Sequence, residues 1–342
     1  MRPVLFRVNV SPTIGMGHLM RSLALAQAAE SYDIPCHFIV DAGSKALAVS
    51  RHDWVYPVVE CAQSRQSDEA DFIANYAQSI NASVVVVDGY AIEPNAVALC
   101  RQQGTPVVVM DDGQLTQVRV ADIIVNSTSS ALDEEYQRLQ PKAVLCTGAK
   151  YRLMRREFQV GTPPGFAQRH GIVLCLGGSD PKKLTIPLVR ALDTVLDNTP
   201  LRVVTGAAFK DTAALQQVIG ESDLPIQHVH NCQDMADVWR NAKLAISAAG
   251  GSQFELGVCE TPSVLLMVAE NQRLATLQAQ QEGWCQAFDC IEHAPLDAIA
   301  DTVKQLWQSA EALNVMHNAL KNKYRADGAY HVLDAIAKVI NR

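Results

Sequence analysis

Short apolar runs rich in β-branched residues alternate with helix-like segments along most of this 342-residue chain. In the first half, the runs that predict strands are VLFRVNV (4–10), CHFIV (36–40), VYPVVE (55–60), SVVVVDGY (83–90), TPVVVM (105–110) and ADIIVN (121–126). Helices are predicted between them at 18–30, 44–51, 68–80 and 94–103. Continuous apolar strands are typical of parallel sheets that helices cover on both faces. Because parallel strands need right-handed crossovers, the pattern predicts a doubly wound α/β domain.

The alternation stops at REFQVGTPPGFAQRHG (156–171), whose Pro and Gly residues favour a linker, and then resumes. The second series predicts strands at 172–178, 201–206, 226–230, 243–251 and 262–267, with helices between them. A chain of this length suits two domains. We therefore expect an N-terminal Rossmann-like domain over 1–155, a linker over 156–170 and a C-terminal Rossmann-like domain over 171–324. The last helix, within 325–342, is expected to pack back on the first domain.

Two such domains facing a central cleft would bind ligands beyond the carboxyl ends of their strands. Composition narrows the classes of partner. The net charge of −7 argues against a nucleic-acid binder, and no apolar run reaches membrane-spanning length. The N-terminus lacks the features of a signal peptide, and nine dispersed cysteines without a C-x-x-C pair are typical of reduced thiols. These features predict a cytoplasmic protein without membrane insertion.

The loop GMGHLMR after the first predicted strand places Gly15 and Gly17 directly before His18. A dinucleotide fingerprint would need a small residue at Met20, and no Walker Lys-Ser/Thr pair follows, although Asp41 ends the second strand. Instead, His18 would stand at a helix N-terminus, where positive potential favours the neutral imidazole and hence a general base. Arg21 shares that helix face and could bind an anionic group. The competing interpretation is a histidine that only caps the helix.

KLAISAAGGSQFE (243–255) predicts a strand, a small-residue turn and a helix. Gly250 and Gly251 would let a phosphate approach the backbone, and the helix that Ser252 begins could bind a diphosphate through its N–H groups. Glu255, one turn later, could accept two hydrogen bonds from a ribose diol. The alternative is a capping box formed by Ser252 and Glu255, which have the required spacing.

Taken in order, GMGHLMR, VVVDGY, MDDG, GAKYRLMRREF, LGGSDPKK, SAAGGSQFE and ENQ resemble the UDP-sugar hydrolases of pseudaminic acid biosynthesis, and more broadly GT-B-type UDP-sugar enzymes. The resemblance runs from residue 15 to residue 272. Gly89, where a bulkier residue is common, and the Gly-Ser pair at 251–252 depart from the pattern. The resemblance implies a GT-B fold and hydrolysis of UDP-2,4-diacetamido-2,4,6-trideoxy-β-L-altropyranose to UDP and the free sugar. It also implies that His18 activates water, without a cofactor or an obvious metal.

Other strand ends supply further candidates for the substrate site. Asp88 is expected to orient His18 or the water, and Tyr90 to contact the sugar; an ordinary turn-capping role for Asp88 is an equal alternative. Polar groups after two strands of the second domain could also contact phosphate or sugar: Gly177, Gly178, Ser179, Asp180, Asn271 and Gln272.

Two patterns could suggest a metal, but neither is convincing. Asp111 and Asp112 are adjacent on a strand and would point to opposite faces, so we predict a turn-forming role with Gly113. His228 and His230 share a strand face, but no nearby Cys or carboxylate completes a ligand set, so packing is favoured. Two rival functions remain open: a UDP-sugar glycosyltransferase with the same fold, and a nucleotide-sugar sensor that would not need His18.

Overall fold

The computed structural model describes residues 2–10, 16–61 and 66–341, without the side chains of residues 66 and 67. Its internal contacts divide the chain into two compact units. Unit 1 comprises Met1–Gln159 and Arg325–Arg342, and unit 2 comprises Val160–Tyr324.

Within the described residues, unit 1 contains a seven-stranded parallel sheet in the order β3-β2-β1-β4-β5-β6-β7. The strands are β1 (Val4–Val8), β2 (Cys36–Asp41), β3 (Val58–Cys61), β4 (Val84–Asp88), β5 (Val107–Met110), β6 (Ile123–Asn126) and β7 (Val144–Thr147). Every residue of β1, β4, β5 and β6 is buried, as expected for strands covered on both faces. In the register, Val8 of β1 pairs with Asp88 of β4, so these two strands end together.

The helices of unit 1 pack against both faces of this sheet. They are α1 (Gly17–Glu30), α2 (Lys45–Ala48), α3 (Gln66–Ser79), α4 (Pro94–Gln102), α5 (Asp133–Leu139), α6 (Arg156–Gln159) and the last helix of the chain, α14 (Gly328–Ile340). Buried residues of α14, such as Val332 and Ile336, share one hydrophobic core with Leu19 and Leu23 of α1. The C-terminal helix therefore completes the core of the first unit.

Unit 2 repeats the design with a six-stranded parallel sheet, in the order β10-β9-β8-β11-β12-β13 within the described residues. Its strands are β8 (His170–Cys175), β9 (Leu201–Thr205), β10 (Ile226–His230), β11 (Ala242–Ala248), β12 (Ser263–Met267) and β13 (Cys285–Asp289). Its helices are α7 (Thr185–Val195), α8 (Thr212–Glu221), α9 (Met235–Asn241), α10 (Gly251–Val258), α11 (Arg273–Gln281), α12 (Leu296–Gln308) and α13 (Ala310–Leu320).

The sequence pattern misses β7, β13 and α5. Both strands lie at the edge of their sheets, and each is only partly buried. An edge strand lacks the continuous apolar run that marks an interior parallel strand, so its pattern is weak. The predicted linker also differs, because residues 156–159 form α6 within unit 1. The Arg156 backbone N–H donates to the Gln27 side chain, and the Arg156 guanidinium pairs with Glu30, so α6 is tied to α1.

Strand order changes direction at one place in each sheet. In unit 1, β2 and β3 lie on one side of β1, and β4 and the later strands lie on its other side. In unit 2, β9 and β10 lie on one side of β8, and β11 and the later strands lie on its other side. Ligands of open α/β sheets bind outside the carboxyl ends of the strands at such a switch point. The start of α1, with Gly17 and His18, follows β1 in the chain, and the Gly250-Gly251 turn follows β11, so both lie at switch points.

All nine cysteines lie within the described residues, and none forms a disulfide. Eight are buried and pack as small apolar side chains, while Cys232 is partly exposed. Among the helices of the described part of the chain, none combines the length and apolar character needed to cross a bilayer.

Close packing at the start of α14 gives a stability prediction. A Cβ on Gly328 would lie 2.2 Å from the Arg152 carbonyl oxygen, whereas a Cβ on Gly220 in α8 would have nothing within 4 Å. We expect Gly328→Ala to destabilise the protein by about 1–3 kcal/mol through overpacking. Gly220→Ala should be neutral or stabilising by up to about 1 kcal/mol, because alanine restricts the unfolded chain. Chemical denaturation of both variants measures the difference; equal effects would contradict it.

Candidate functional site

Polar side chains from three elements converge at the switch point of unit 1. His18 and Arg21 lie in the first turns of α1, Asp88 is the last residue of β4, and Asp112 follows β5. The α1 helix has Met16 as its N-cap, and among the described residues no side chain caps its N-terminal amides. Gly15 lies outside the described residues. A Cβ on Gly17 would have nothing within 4 Å, so the backbone beside His18 is open.

Arg21 joins these elements through charge-assisted hydrogen bonds. Its Nε and Nη2 donate to the two oxygens of Asp88 at 2.7 and 2.5 Å, and its Nη1 donates to Asp112 Oδ1 at 2.6 Å. Ser22 Oγ also donates to Asp88 Oδ2 at 3.1 Å. The expected anionic partner of Arg21 is therefore supplied by the protein itself. Asp88 is fully buried and hydrogen-bonds to Arg21 and Ser22, and its role in orienting His18 or the water stays a prediction.

His18 is buried beside this ion pair, with 6% of its surface exposed. Its Nε2 lies 4.0 Å from Asp112 Oδ2, too far for a hydrogen bond. Among the described residues, its Nδ1 is buried and has no hydrogen-bond partner. The Tyr90 ring meets the imidazole edge to face, with 4.6 Å between ring centroids. One ring nitrogen thus faces a carboxylate, and the other has no hydrogen-bond partner among the described residues.

Burial lowers the pKa of His18 below its ordinary value of 6.5, and the Arg21 guanidinium lowers it further. The Asp88 and Asp112 carboxylates and the Asn9 backbone oppose this shift without cancelling it. The sequence analysis expected a neutral imidazole because of the positive potential at the start of α1. In the structure, burial is the largest cause of the lowered His18 pKa. A neutral histidine with an available nitrogen can accept a proton.

Asp112 is the member of the site that the sequence interpretation missed. The predicted turn-forming role belongs to Asp111 alone, whose carboxylate accepts from the backbone N–H groups of Gly113 and Leu115. Asp112 Oδ2 instead accepts from the Tyr90 hydroxyl at 2.8 Å. Burial alone would raise its pKa, but Arg21 outweighs burial and holds that pKa below its usual value. The position of Asp112 after β5, beside the candidate Asp88 on the adjacent β4, was the signal that could have found it.

Close packing against Asn9 explains why residue 89, in the sequence DGY, is a glycine. Gly89 has φ +153°, and a Cβ there would lie 2.2 Å from Asn9 Oδ1. That oxygen accepts from the Ala91 backbone N–H, and the Asn9 amide donates to Asp41. Asp41 also accepts from Arg7, so this acid is engaged within the protein. Gly89 therefore allows the loops after β1 and β4 to touch, and Tyr90 follows directly, 40% exposed.

At the switch point of unit 2, α10 begins with Gly250 as its N-cap and has no side-chain cap. A Cβ on Gly251 would have nothing within 4 Å, and one on Gly250 would meet only the Gln272 amide nitrogen at 3.6 Å. Gln272 is held by its Oε1, which accepts from the Val268 N–H at 2.8 Å. The structure thus brings Gln272 against a helix N-terminus that can bind an anion through backbone N–H groups.

The capping box predicted as an alternative for Ser252 is absent from this helix. Because Gly250 is the N-cap, Ser252 lies inside the helix and cannot take the capping position. Glu255 Oε2 instead accepts from the indole N–H of the buried Trp239 at 3.2 Å.

Burial, and to a smaller extent the Glu255 and Asp180 carboxylates, raise the pKa of the Cys175 thiol to about 12. Both acids therefore lie near the carboxyl end of β8.

The loop after β8 depends on backbone contacts. Gly177 has φ +88°, a left-handed conformation that favours glycine. A Cβ on Gly206, after β9, would lie 2.4 Å from the Gly178 Cα, so Gly206 is a required small residue that the sequence interpretation missed. Asp180 accepts from the Leu184 and Thr185 N–H groups at the start of α7, one at each of its oxygens. Its contact with a sugar hydroxyl stays a prediction, as does a contact through Ser179, which lies between Gly178 and Asp180 in the chain.

The remaining candidates are placed as follows. Asn271 lies in a short 3₁₀ turn, Glu270–Gln272, after β12. His228 and His230 both hydrogen-bond to Thr205 Oγ1, at 2.8 and 3.1 Å, on the edge strand β10. No group of three or more His, Cys, Asp or Glu side chains in the described ranges has a metal-binding arrangement.

Comparisons with known proteins give distant relatives. No known family model matches the chain. It is 25% identical over 273 residues to an uncharacterized protein of Methanocaldococcus jannaschii, covering 77% of this chain and 55% of that protein. It is 27% identical over 192 residues to the UDP-2,4-diacetamido-2,4,6-trideoxy-beta-L-altropyranose hydrolase of Campylobacter jejuni, covering 55% and 65%. It is 22% identical to the spore coat polysaccharide biosynthesis protein SpsG of Bacillus subtilis over 75% of each chain. The first two matches span only about half to two-thirds of those relatives' lengths.

Solved structures match along nearly the whole chain. Staphylococcus aureus MnaA in a co-structure with UDP superposes with a TM-score of 0.72 at 12% identity, covering 100% of this chain and 97% of that one. Acinetobacter baumannii MurG superposes with a TM-score of 0.64 at 17% identity, covering 98% and 99%. These likenesses, together with the two parallel sheets, confirm the predicted fold class, GT-B with two Rossmann-like domains.

The surroundings of His18 predict its titration. We expect its imidazole to stay neutral to a lower pH than the ordinary value of 6.5, because burial penalises the charged ring. The unfolded chain binds this proton near pH 6.5 and the folded one does not, so stability should fall as pH decreases below 6.5. Titration of ¹⁵N-labelled histidines by NMR measures this, with the His18 signal assigned by its loss in His18→Gln. A His18 midpoint at or above 6.5 would contradict the prediction.

Proposed function

We propose that this protein hydrolyses a UDP-sugar, releasing UDP and the free sugar, and that His18 activates the water. The observation that carries the proposal is the buried His18 imidazole, whose pKa is lowered and whose Nδ1 has no partner among the described residues. Such a group is suited to take a proton from water near neutral pH. The similarity to the Campylobacter jejuni hydrolase supports the same reaction and, in particular, a UDP-linked 2,4-diacetamido-2,4,6-trideoxy sugar as substrate.

Unit 2 is assigned the uridine diphosphate. The α10 N-terminus, with Gly250 and Gly251 unobstructed, offers backbone N–H groups and a partial positive charge to the diphosphate. Glu255 is assigned to the ribose hydroxyls, held from behind by the Trp239 indole. Gln272 and Asn271 are assigned to sugar or phosphate oxygens near that turn. The co-structure of Staphylococcus aureus MnaA with UDP supports a nucleotide site in this fold.

The proposed reaction is a displacement at the anomeric carbon. One O–H bond of water breaks as its proton passes to His18, and the water oxygen bonds to the anomeric carbon. The bond from that carbon to the diphosphate oxygen breaks, and its electron pair leaves with UDP. Backbone N–H groups at α10 stabilise the charge that develops on the leaving diphosphate. Attack opposite the leaving group inverts the anomeric centre, and no step requires a metal.

The second candidate function is a UDP-sugar glycosyltransferase, in which an alcohol replaces the water. It is favoured by the fold, since structural neighbours include a glycosyltransferase of Rickettsia africae with a TM-score of 0.62. The decisive test is incubation of the protein with UDP-diacetamido sugars in EDTA, followed by ¹H and ³¹P NMR. Release of UDP and free sugar of inverted configuration supports hydrolysis. UDP release only when an alcohol acceptor is present would support transfer, and binding without turnover would support a sensor.

The role of His18 predicts a specific kinetic defect. His18→Asn should lower kcat by about 10²–10⁴-fold, the usual effect of removing a positioned general base. The rate of the native enzyme should fall as pH decreases through the lowered His18 pKa, and the variant should lose this acidic limb. UDP affinity should change little, because its contacts are assigned to unit 2. His170→Asn, at the exposed start of β8, is the matched control and should retain activity. Normal turnover with lost UDP affinity in His18→Asn would contradict the proposal.

The role of Glu255 predicts a binding defect instead. Glu255→Ala should weaken UDP binding by about 1.5–3 kcal/mol, since charge-assisted hydrogen bonds to the ribose are lost. Trp239→Phe, which removes only the indole N–H, should weaken it less by loosening the carboxylate. Glu292→Ala, on the exposed surface of unit 2, is the control. Isothermal titration calorimetry measures all three, and unchanged affinity in a folded Glu255→Ala would remove this assignment.

A further inference from the structure

The carboxylate of Asp112 faces three groups at the switch point of unit 1. Its Oδ1 accepts from Arg21 at 2.6 Å, its Oδ2 accepts from the Tyr90 hydroxyl at 2.8 Å, and the same Oδ2 lies 4.0 Å from His18 Nε2. We propose that Asp112 is the positioning residue of His18: it receives the Nε2–H of the imidazolium that forms when His18 takes a proton, and it holds the Tyr90 ring against the imidazole. This inference rests on the proposed role of His18 as a base.

Asp112 is better placed for this role than Asp88. Among the described contacts, Asp112 Oδ2 is the carboxylate oxygen that lies within 4.0 Å of a His18 nitrogen, whereas Asp88 accepts three hydrogen bonds from Arg21 and Ser22. Among the described contacts, Asp112 Oδ2 accepts from the Tyr90 hydroxyl alone, and a carboxylate oxygen can accept two hydrogen bonds. One acceptor position therefore remains for His18. The 4.0 Å separation is longer than a hydrogen bond by about 1 Å, and attraction between the imidazolium and the carboxylate would shorten it when His18 takes a proton.

The charges around His18 favour this pairing in the charged state. With His18 neutral, one guanidinium faces two carboxylates, so the cluster holds one excess negative charge. Protonation of His18 balances it. The groups facing the ring come from every neighbouring element: Arg21 from its own helix, Asp88 from β4, Asp112 and Tyr90 from the loops after β5 and β4, and the Asn9 backbone after β1. Only Arg21 among the charged groups disfavours the imidazolium, and its charge is already shared by both acids.

The proton does not pass on to Asp112. Arg21 holds the pKa of this carboxyl below its usual value despite burial, so it stays ionised while His18 carries the proton. The imidazolium then releases its proton to solvent after UDP has left. Asp112 thus stabilises the charged ring without itself reacting, and Tyr90, through its hydroxyl, keeps the carboxylate aimed at Nε2. This role would explain why Asp112, which is not among the predicted substrate contacts, accepts hydrogen bonds from both Arg21 and Tyr90.

The test is an NMR titration of His18 in Asp112→Asn, with kinetics alongside. Loss of the carboxylate should lower the His18 pKa further, because a charge that favours the imidazolium is gone. The acidic limb of the pH–rate profile should move to lower pH by the same amount, and kcat should fall about 10–10²-fold. Asp122→Asn is the matched control: Asp122 also pairs with an arginine, Arg101, but lies away from His18. It should leave the His18 titration and kcat unchanged.

A second variant separates positioning from folding. Asp112→Glu keeps the charge, so it should retain more of the native His18 pKa than Asp112→Asn, with thermal unfolding recorded for both. If Asp112→Asn is unfolded, the glutamate variant decides: a native-like His18 pKa with reduced kcat supports the proposal. An unchanged His18 pKa in folded Asp112→Asn overturns it, as does a pKa that rises. The titration needs no substrate, so it tests Asp112 even if the UDP-sugar hydrolysis fails.

Discussion

The buried ion pair between Arg21 and two carboxylates is the interaction on which the site of unit 1 depends. It joins α1 to the ends of β4 and the loop after β5, because Arg21 donates to both Asp88 and Asp112. Buried charges are tolerated only when paired with good geometry, and loss of one partner typically costs about 3–5 kcal/mol. The guanidinium fork fixes its partners in direction as well as distance. Because His18 lies three residues before Arg21 on α1 and beside Asp112, loss of either carboxylate partner would disturb its surroundings.

Both units place their candidate site at the switch point, where one strand ends and the next helix begins. In unit 1 the register pairs Val8 with Asp88, so residues after β1 and β4 are brought side by side. In unit 2 the register pairs Ser247 of β11 with Cys175 of β8, which brings the Gly177 and Gly250 loops to one edge. Small residues are needed there because backbones meet closely, as at Gly206 against Gly178.

Sequence reasoning was sufficient for the interior of the fold, since buried parallel strands carry continuous apolar runs. It failed at β7 and β13, where half-exposed edge strands lack that pattern. For the candidate site, positions after strands predicted His18, Asp88 and Tyr90, and the structure brings these three residues together. Those positions could not reveal partners, because the spacing along a chain says nothing about which side chains meet across strands.

The errors at individual residues have the same origin. Asp111 and Asp112 look equivalent in sequence, yet one closes a turn and the other bonds Arg21 and Tyr90. The Ser252–Glu255 spacing fits a capping box, yet the helix begins at Gly251 and Glu255 turns to Trp239. Local pattern favours the local partner, and tertiary contacts such as the Trp239 indole decide otherwise. Polar residues at the end of a strand that neighbours a predicted site strand, such as Asp112 beside Asp88, are therefore candidates for the same site.

The two units differ in the kind of chemistry they offer. At its switch point unit 2 presents backbone N–H groups and amides, with Gly250, Gly251 and Gln272 together. Unit 1 presents ionisable side chains around a buried imidazole. Backbone donors suit a ligand part that many enzymes share, whereas titratable groups decide which bond is broken. Structural neighbours at 12–17% identity share the fold of this chain, but a shared fold does not imply that they share the side chains at these positions. Under the proposed function, the choice between water and an alcohol as the attacking group is therefore assigned to the side chains after β1, β4 and β5, including His18, Tyr90 and Asp112.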